Sequence, residues 1–193
     1  MGLCGCSGLS IGYPLHWVIV MPYNLHYGSQ DVHEKYIPKM VSGDYIGAIA
    51  MTEPGAGSDL QGMRTSAIDQ GDYYLVNGSK TFITNGYLSD VVVVAVKTDP
   101  SKGAKGISLV VMDNSMEGYT KGFPFEKVGL HAQDTCELFF EDVKVPKVNL
   151  LGKEGDGFQY LMQELAQERL VVALAAVALG EYMLQETLDY VKQ

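Results

Sequence analysis

The sequence predicts an α+β chain, with an antiparallel β-barrel or sandwich in the middle flanked on both sides by α-helical segments. Three observations predict it. Short runs rich in β-branched and aromatic residues, at 46–51, 73–76, 91–96, 107–112 and 137–140, alternate with turn signals. No helical pattern of about 10–15 residues separates them, which argues against parallel βαβ winding. Before and after this zone the apolar residues recur at helical spacing instead. The chain therefore divides into a helical zone at 1–43, a β-zone at 44–150 and a long helix within 151–193.

In the first zone Ile19, Val20 and Leu25 are the residues offered to a core. Gly28 is a stop for their helix. Ser29 caps the next helix, with Asp31 in its first turn. Pro38 is expected to open a further short helical turn that Gly43 ends. In the β-zone, Asn77-Gly78 and Asn85-Gly86 are turn dipeptides. In the last zone Phe158, Leu161, Met162, Leu165, Val172, Ala176, Leu179, Met183 and Leu184 hold helical spacing, with Asp156 in the first turn. At about 1.5 Å per residue this helix spans on the order of 55 Å. A helix so long and apolar needs partners beyond those the sequence supplies, so the chain is expected to be a piece of a longer protein.

Bulk properties exclude several classes. Of 193 residues 47% are hydrophobic and 19% charged, ordinary for a soluble globular protein. The net charge is −9, and no stripe of Lys and Arg offers a nucleic-acid face. Phosphorylated ligands stay possible, because loop N–H groups bind them locally. Cys4, Cys6 and Cys136 make neither a disulfide framework nor a zinc spacing, and are expected to be unpaired thiols. His16, His26, His33 and His131 are scattered without metal-ligand spacing, so no metal is expected. No signal or transit pattern is visible. The apolar-leaning stretch at 9–20 is broken by Gly12, Pro14 and His16 and is too short to span a membrane. Asn77-Gly78-Ser79 reads as a sequon within a hairpin turn.

The segment Thr52-Glu53-Pro54-Gly55-Ala56-Gly57-Ser58-Asp59 carries the most chemistry. Two glycines free to take positive φ, successive N–H groups and two hydroxyls could hold a phosphate or the polar edge of a heterocycle. No Gly-Lys-Ser/Thr follows, so it is not a Walker loop. Leu60 stands where a Rossmann fingerprint needs its third glycine. Taken alone, the segment is either a ligand cradle or a plain Gly-Pro turn.

Four ordered motifs carry a resemblance. Ala50-Met51-Thr52-Glu53-Pro54-Gly55-Ala56-Gly57-Ser58-Asp59-Leu60-Gln61-Gly62 resembles the first signature of the acyl-CoA dehydrogenase family. Asn77-Gly78-Ser79-Lys80-Thr81-Phe82-Ile83-Thr84-Asn85-Gly86 resembles its second flavin segment. Phe139-Phe140-Glu141-Asp142-Val143-Lys144-Val145-Pro146 resembles the end of its middle β-domain. Gln163-Glu164-Leu165-Ala166-Gln167-Glu168-Arg169-Leu170 resembles the start of its C-terminal helical domain. The resemblance covers essentially the whole chain and is strongest to long-chain members.

That resemblance implies FAD as cofactor, lined by Ile49, Ala50, Met51, Thr52, Glu53, Pro54, Gly55, Ala56, Gly57 and Ser58, and by Phe82, Ile83 and Thr84. Met51 and Thr52 would address the pyrimidine edge, and Gly57 and Ser58 the pyrophosphate. Thr84 would donate to flavin N5, and Phe82 would sit against the ring where relatives often carry Trp. Ser58, Ala166, Gln167, Glu168 and Arg169 would face the acyl-CoA substrate. Taken alone, Phe82 and Ile83 read as strand core and Glu168 as a solvated charge. The resemblance makes Glu168 the catalytic base, because long-chain and isovaleryl-type members place the carboxylate in a Glu-Arg pair on this helix.

The implied reaction is α,β-dehydrogenation of a long-chain acyl-CoA in fatty-acid β-oxidation. Electrons would pass to an electron-transfer flavoprotein, and the full-length form would be a homotetramer or dimer. The compartment would be the mitochondrial matrix in a eukaryote and the cytoplasm in a bacterium. Alternatives are an isovaleryl-type or other branched-chain dehydrogenase, an acyl-CoA oxidase, or a truncated, catalytically incompetent flavin-binding piece.

Overall fold

The computed structural model describes residues 7–192, so the expectation for Cys4 and Cys6 lies outside the described residues. Cys136 is a free, buried thiol. The chain begins with helix α1 (Ser7–Pro14), which runs through a wider π-type turn (Leu15–Val20) into α2 (Met21–Tyr27). Proline shapes this rod. Pro22 has no N–H for the Val18 carbonyl one α-turn back, and the Gln167 side chain donates to that carbonyl at 3.1 Å.

Gly28 ends α2 in extended backbone, and Ser29 caps α3 (Gln30–Ser42) by accepting the Val32 N–H at 3.2 Å. Gly43 closes α3 in the left-handed conformation at φ 85°. Two expectations are corrected here. Pro38 lies inside α3 and opens no new turn. Leu25 is exposed, while Tyr23 and Asn24 on the other side of α2 are buried with Val20.

Among the described residues eight strands form one mixed sheet: β1 (Gly47–Ala50), β2 (Ser66–Asp69), β3 (Tyr73–Thr84), β4 (Val91–Lys97), β5 (Ile107–Asp113), β6 (Tyr119–Lys121), β7 (Thr135–Pro146) and β8 (Leu150–Leu151). Their order is β6-β7-β3-β2-β4-β5-β8, with β1 on β4. Most pairings are antiparallel, as expected, but β1 runs parallel to β4 in the register Gly47↔Val91 to Ala50↔Val94. Between β1 and β4 the chain completes the β2–β3 hairpin, so a parallel return needs no intervening helix. The short strands β2, β6 and β8 carry too little β-branched content to stand out in sequence.

β4 is buried on both sides and organises the packing. Val92, Val94 and Val96 enter a core shared with Ala48, Tyr74, Met112, Leu138 and Phe140, so the sheet curls around its own inner face. Val91, Val93 and Ala95 point the other way, onto Val20, Tyr23, Tyr36 and Met40 of the helices. Full burial on both faces explains the run of four valines, since such a strand has no solvated face to alternate with.

Asn77-Gly78 is not a turn. β3 continues through it, paired with β7, and the register shifts between Val76 and Gly78. Gly78 has φ 147°, and a Cβ there would come within 2.7 Å of the Thr65 Cα. Close approach of the neighbouring chain, not chain reversal, demands this glycine. Asn85-Gly86 does turn, with Asn85 at φ 60° and the Gly86 N–H bonded to the Ile83 carbonyl at 3.1 Å.

Polar contacts dock the helices on the sheet. The Gly47 N–H donates to His16 Nδ1 at 2.8 Å, so the His16 Nε2–H is the donor to the Met40 carbonyl at 3.0 Å. Asp113, at the end of β5, accepts from Lys35 Nζ and Tyr36 Oη of α3, each at 2.7 Å.

The last helix, α4 (Gly157–Val191), is 35 residues long, about 52 Å. Asp156 is its N-cap rather than part of its first turn. Leu161 is packed on β5 and α2, whereas Leu170, Val172, Leu174, Val177, Met183 and Leu184 are exposed. By length and composition alone α4 could cross a membrane. Its first turns instead carry carboxylates hydrogen-bonded to α2, an arrangement of a helix packed on protein.

Asp113 generates a pH prediction. Burial raises its carboxyl, but Lys35, Ser115 and Tyr36 together outweigh this and hold it at about 2, against 3.8 unperturbed. The unfolded chain therefore binds the proton more readily, so stability is fully present above pH 3.8 and lost as pH falls through about 2. The contribution is about 2 kcal/mol. Urea unfolding from pH 6 to pH 2 should show this loss, and Asp113→Asn should flatten it while lowering stability at neutral pH.

Candidate functional site

β1 leads into residues 51–58, and the geometry of this loop follows from one buried carboxylate. Glu53 and Ala56 exchange both backbone hydrogen bonds at 3.0 Å, closing a tight turn over Pro54-Gly55. The Glu53 side chain turns inward. It accepts the Arg64 N–H at 2.6 Å, the Thr65 N–H at 3.0 Å and Lys80 Nζ at 2.8 Å. Lys80 is completely buried and also donates to the Met51 carbonyl at 3.0 Å. The Thr81 N–H donates to the Thr52 carbonyl at 2.9 Å. The segments that the resemblance implied as flavin-lining, 49–58 and 82–84, are thus held side by side through Lys80 and Thr81.

Burial pushes both ionised groups toward neutrality, and their contact opposes it. The Lys80 ammonium, the Thr65 N–H and the Arg64 N–H hold the Glu53 carboxyl below its ordinary value. Burial brings Lys80 down to about 8, with Glu53 pulling the other way, so the pair is ionised at neutral pH.

The flanking residues separate into support and presentation. Ile49, Ala50, Glu53, Ala56 and Ile83 are buried, so their side chains belong to the core or its polar anchor. Met51, Thr52 and Thr84 are half-buried, and Pro54, Gly55, Gly57 and Ser58 are exposed. Neither Gly55 nor Gly57 uses its freedom to take positive φ. A Cβ at either would meet nothing within 4 Å. The space above the loop is open, and the fold itself does not require glycine there.

Phe82 departs from the strand-core reading. It sits at φ 58° where the β3–β7 register shifts between Lys80 and Ile83, with its ring 66% exposed and 5.5 Å from that of Phe125. Positive φ costs a bulky residue on the order of 1–2 kcal/mol. Here the aromatic ring is exposed while Ile83 goes into the core.

The second half of the site lies between α2 and α4. Glu168 is half-buried, and Tyr23 Oη donates to its Oε1 at 2.6 Å. One turn earlier Glu164 Oε1 accepts from Tyr27 Oη at 3.0 Å and lies 2.8 Å from His26 Nδ1. Burial raises the Glu168 carboxyl, the Tyr23 hydrogen bond draws it back, and the Glu164 charge lifts it again. Ala166 and Arg169 are exposed, and Gln167 is the residue bound to the Val18 carbonyl. No described hydrogen bond or ion pair joins Glu168 to the 51–58 loop.

Sequence reasoning missed Lys80, Tyr23, His26, Tyr27 and Glu164 as members of these clusters. Only Glu164 carried a local signal, its four-residue offset from Glu168 on one helix face.

Lys80→Met removes a buried ammonium and leaves Glu53 unpaired. It should destabilise the protein by about 3–5 kcal/mol, measured by urea unfolding. Adding Glu53→Gln to the same chain should recover part of that loss.

Comparison with known proteins agrees with this geometry. Residues 48–143 match the family model for the acyl-CoA dehydrogenase middle domain. The long-chain specific acyl-CoA dehydrogenase, mitochondrial, of Sus scrofa is 56% identical over 190 residues, covering 97% of this chain and 44% of that protein. The isovaleryl-CoA dehydrogenase, mitochondrial, of Pongo abelii is 40% identical over 188 residues, covering 96% and 44% respectively. The crystal structure of acyl-CoA dehydrogenase from Geobacillus kaustophilus superposes with a TM-score of 0.92 at 57% identity, covering 95% of this chain and 49% of that one. The chain thus spans less than half the length of these relatives. With its signature loop, its curled mixed sheet and its flanking helices matching along nearly its whole length, the chain belongs to the acyl-CoA dehydrogenase family.

Proposed function

We propose that this chain supplies the flavin-side and base-side walls of an enzyme that dehydrogenates long-chain acyl-CoA thioesters between Cα and Cβ. The observation that carries the reading is the stitched pair of segments 51–58 and 80–84. It offers main-chain groups, hydroxyls and an outward aromatic ring around open space, and these groups fit FAD. Met51 main-chain groups and the Thr52 hydroxyl would hold the pyrimidine edge, Gly57 and Ser58 the pyrophosphate, and Thr84 the N5 edge. Phe82 would supply the apolar face. FAD, when bound, provides the acceptor for the substrate's β-hydride.

Glu168 takes the α-proton. Its raised affinity for protons brings it toward the working pH, as suits a general base. Ser58 and Arg169 face the CoA thioester from the two sides. The preference for long over branched acyl chains rests on the higher identity to the Sus scrofa relative. An electron-transfer flavoprotein as acceptor, and assembly into a dimer or tetramer, belong to the same reading. So does the division into the end of a helical domain (1–43), a middle β-domain (44–150) and the first helix of a second helical domain (151–193). The exposed apolar side chains of α4 support a need for further helices before catalysis, so activity is proposed for the full-length protein.

The full-length protein should purify with a flavin absorbance band that bleaches on adding palmitoyl-CoA. Bleaching by isovaleryl-CoA but not palmitoyl-CoA would assign a branched-chain substrate instead. Glu168→Gln should slow bleaching by roughly 10²–10⁴-fold while the flavin band persists, and a normal rate would place the base elsewhere.

A further inference from the structure

Among the described residues Glu168 is held by a single tyrosine, on a different helix, and the surroundings of that tyrosine make it a permanent donor. Tyr23 is completely buried. Its ring lies in the helix-facing core with Val20 and Leu161. Burial and the two nearby carboxylates push its phenol well above the ordinary range, so it stays protonated across working pH. A terminal carboxylate torsion is otherwise broad and two-fold. The described hydrogen bond fixes it by engaging Oε1 at 2.6 Å.

We propose that Tyr23 is the positioning residue for Glu168, holding Oε1 so that Oε2 is the oxygen presented to the substrate's α-carbon. This rests on the reading of Glu168 as the base. The contact has a chemical consequence as well as a geometric one. A donor to the carboxylate stabilises its charged form and weakens it as a base. Glu164, one turn back on the same face, acts in the opposite direction. The other titratable groups at this interface are engaged elsewhere: His26 and Tyr27 with Glu164, and His16 with Gly47 and Met40. Burial and Glu164 raise the basicity of Glu168 and Tyr23 lowers it, while among the described hydrogen bonds Tyr23's is the one that orients it.

The test has two readouts. In this chain labelled with ¹³C-carboxyl glutamate, the Glu168 resonance, identified by its loss in Glu168→Gln, is titrated against pH. Tyr23→Phe should raise its midpoint by about one pH unit. Tyr27→Phe, which takes a hydroxyl from Glu164 only, should move it much less. Replacing Tyr23 by 3-fluorotyrosine, isosteric but a stronger donor, should lower the midpoint and needs no repacking. In the full-length protein the acid limb of the kcat/KM profile should follow these shifts, moving to higher pH in Tyr23→Phe. An unmoved Glu168 midpoint in both Tyr23 variants would overturn the proposal. A midpoint that moves while the acid limb stays fixed would overturn the assignment of Glu168 as base, leaving the contact intact.

Discussion

The buried ion pair between Glu53 and Lys80 is the constraint from which the rest of the site follows. Neither charge could be buried alone, since an unpaired ion in the interior costs several kcal/mol. Together they are fully served: Glu53 by two backbone N–H groups and the ammonium, Lys80 by the carboxylate and the Met51 carbonyl. One point thereby ties the exit of β1, the entry to β2 and the bulged part of β3. Because the anchor lies beneath the loop, Pro54, Gly55, Gly57 and Ser58 above it need contribute nothing to packing. They are exposed, with the space over both glycines unobstructed. At the bulge that follows Lys80 the chain takes a left-handed backbone conformation at Phe82, with Phe82 exposed and Ile83 buried.

The interface between α2 and α4 repeats the same logic with weaker charges. Two carboxylates one turn apart on α4 are brought against two tyrosines and a histidine of α2, and each finds a donor. The Gln167 side chain, between them in sequence, serves the carbonyl that Pro22 leaves without its usual partner. This polar band occupies only the first third of α4, where Leu161 anchors the helix on β5. Further along, apolar side chains face outward, so the two ends of one helix have different physical tasks.

Several elements were legible because their cause is local. Ser29 caps α3 and Gly43 ends it because a side-chain oxygen near an unsatisfied N–H, and a residue without Cβ at positive φ, act over three or four positions. The valine run of β4 and the periodicity of α4 were equally plain. Asn77-Gly78 misled because the same dipeptide suits a turn and a strand bulge crowded by Thr65, and only the neighbour distinguishes them. Pro38 misled because a proline reads as a helix start, whereas packing of Tyr36 and Met40 carries α3 through it.

The sequence by itself determined the fold class, the strands with full β-branched content, the signature loop and the carboxylate on α4, since each depends on residues close together in the chain. Only the tertiary structure decided that β1 runs parallel to β4, that Lys80 lies under the loop, that Phe82 faces outward and that Tyr23 holds Glu168. Lys80 is 27 positions from Glu53, and Tyr23 is 145 from Glu168. At such separations pairing is set by how buried surfaces close on one another and which charges they trap, and no local pattern of residues encodes that.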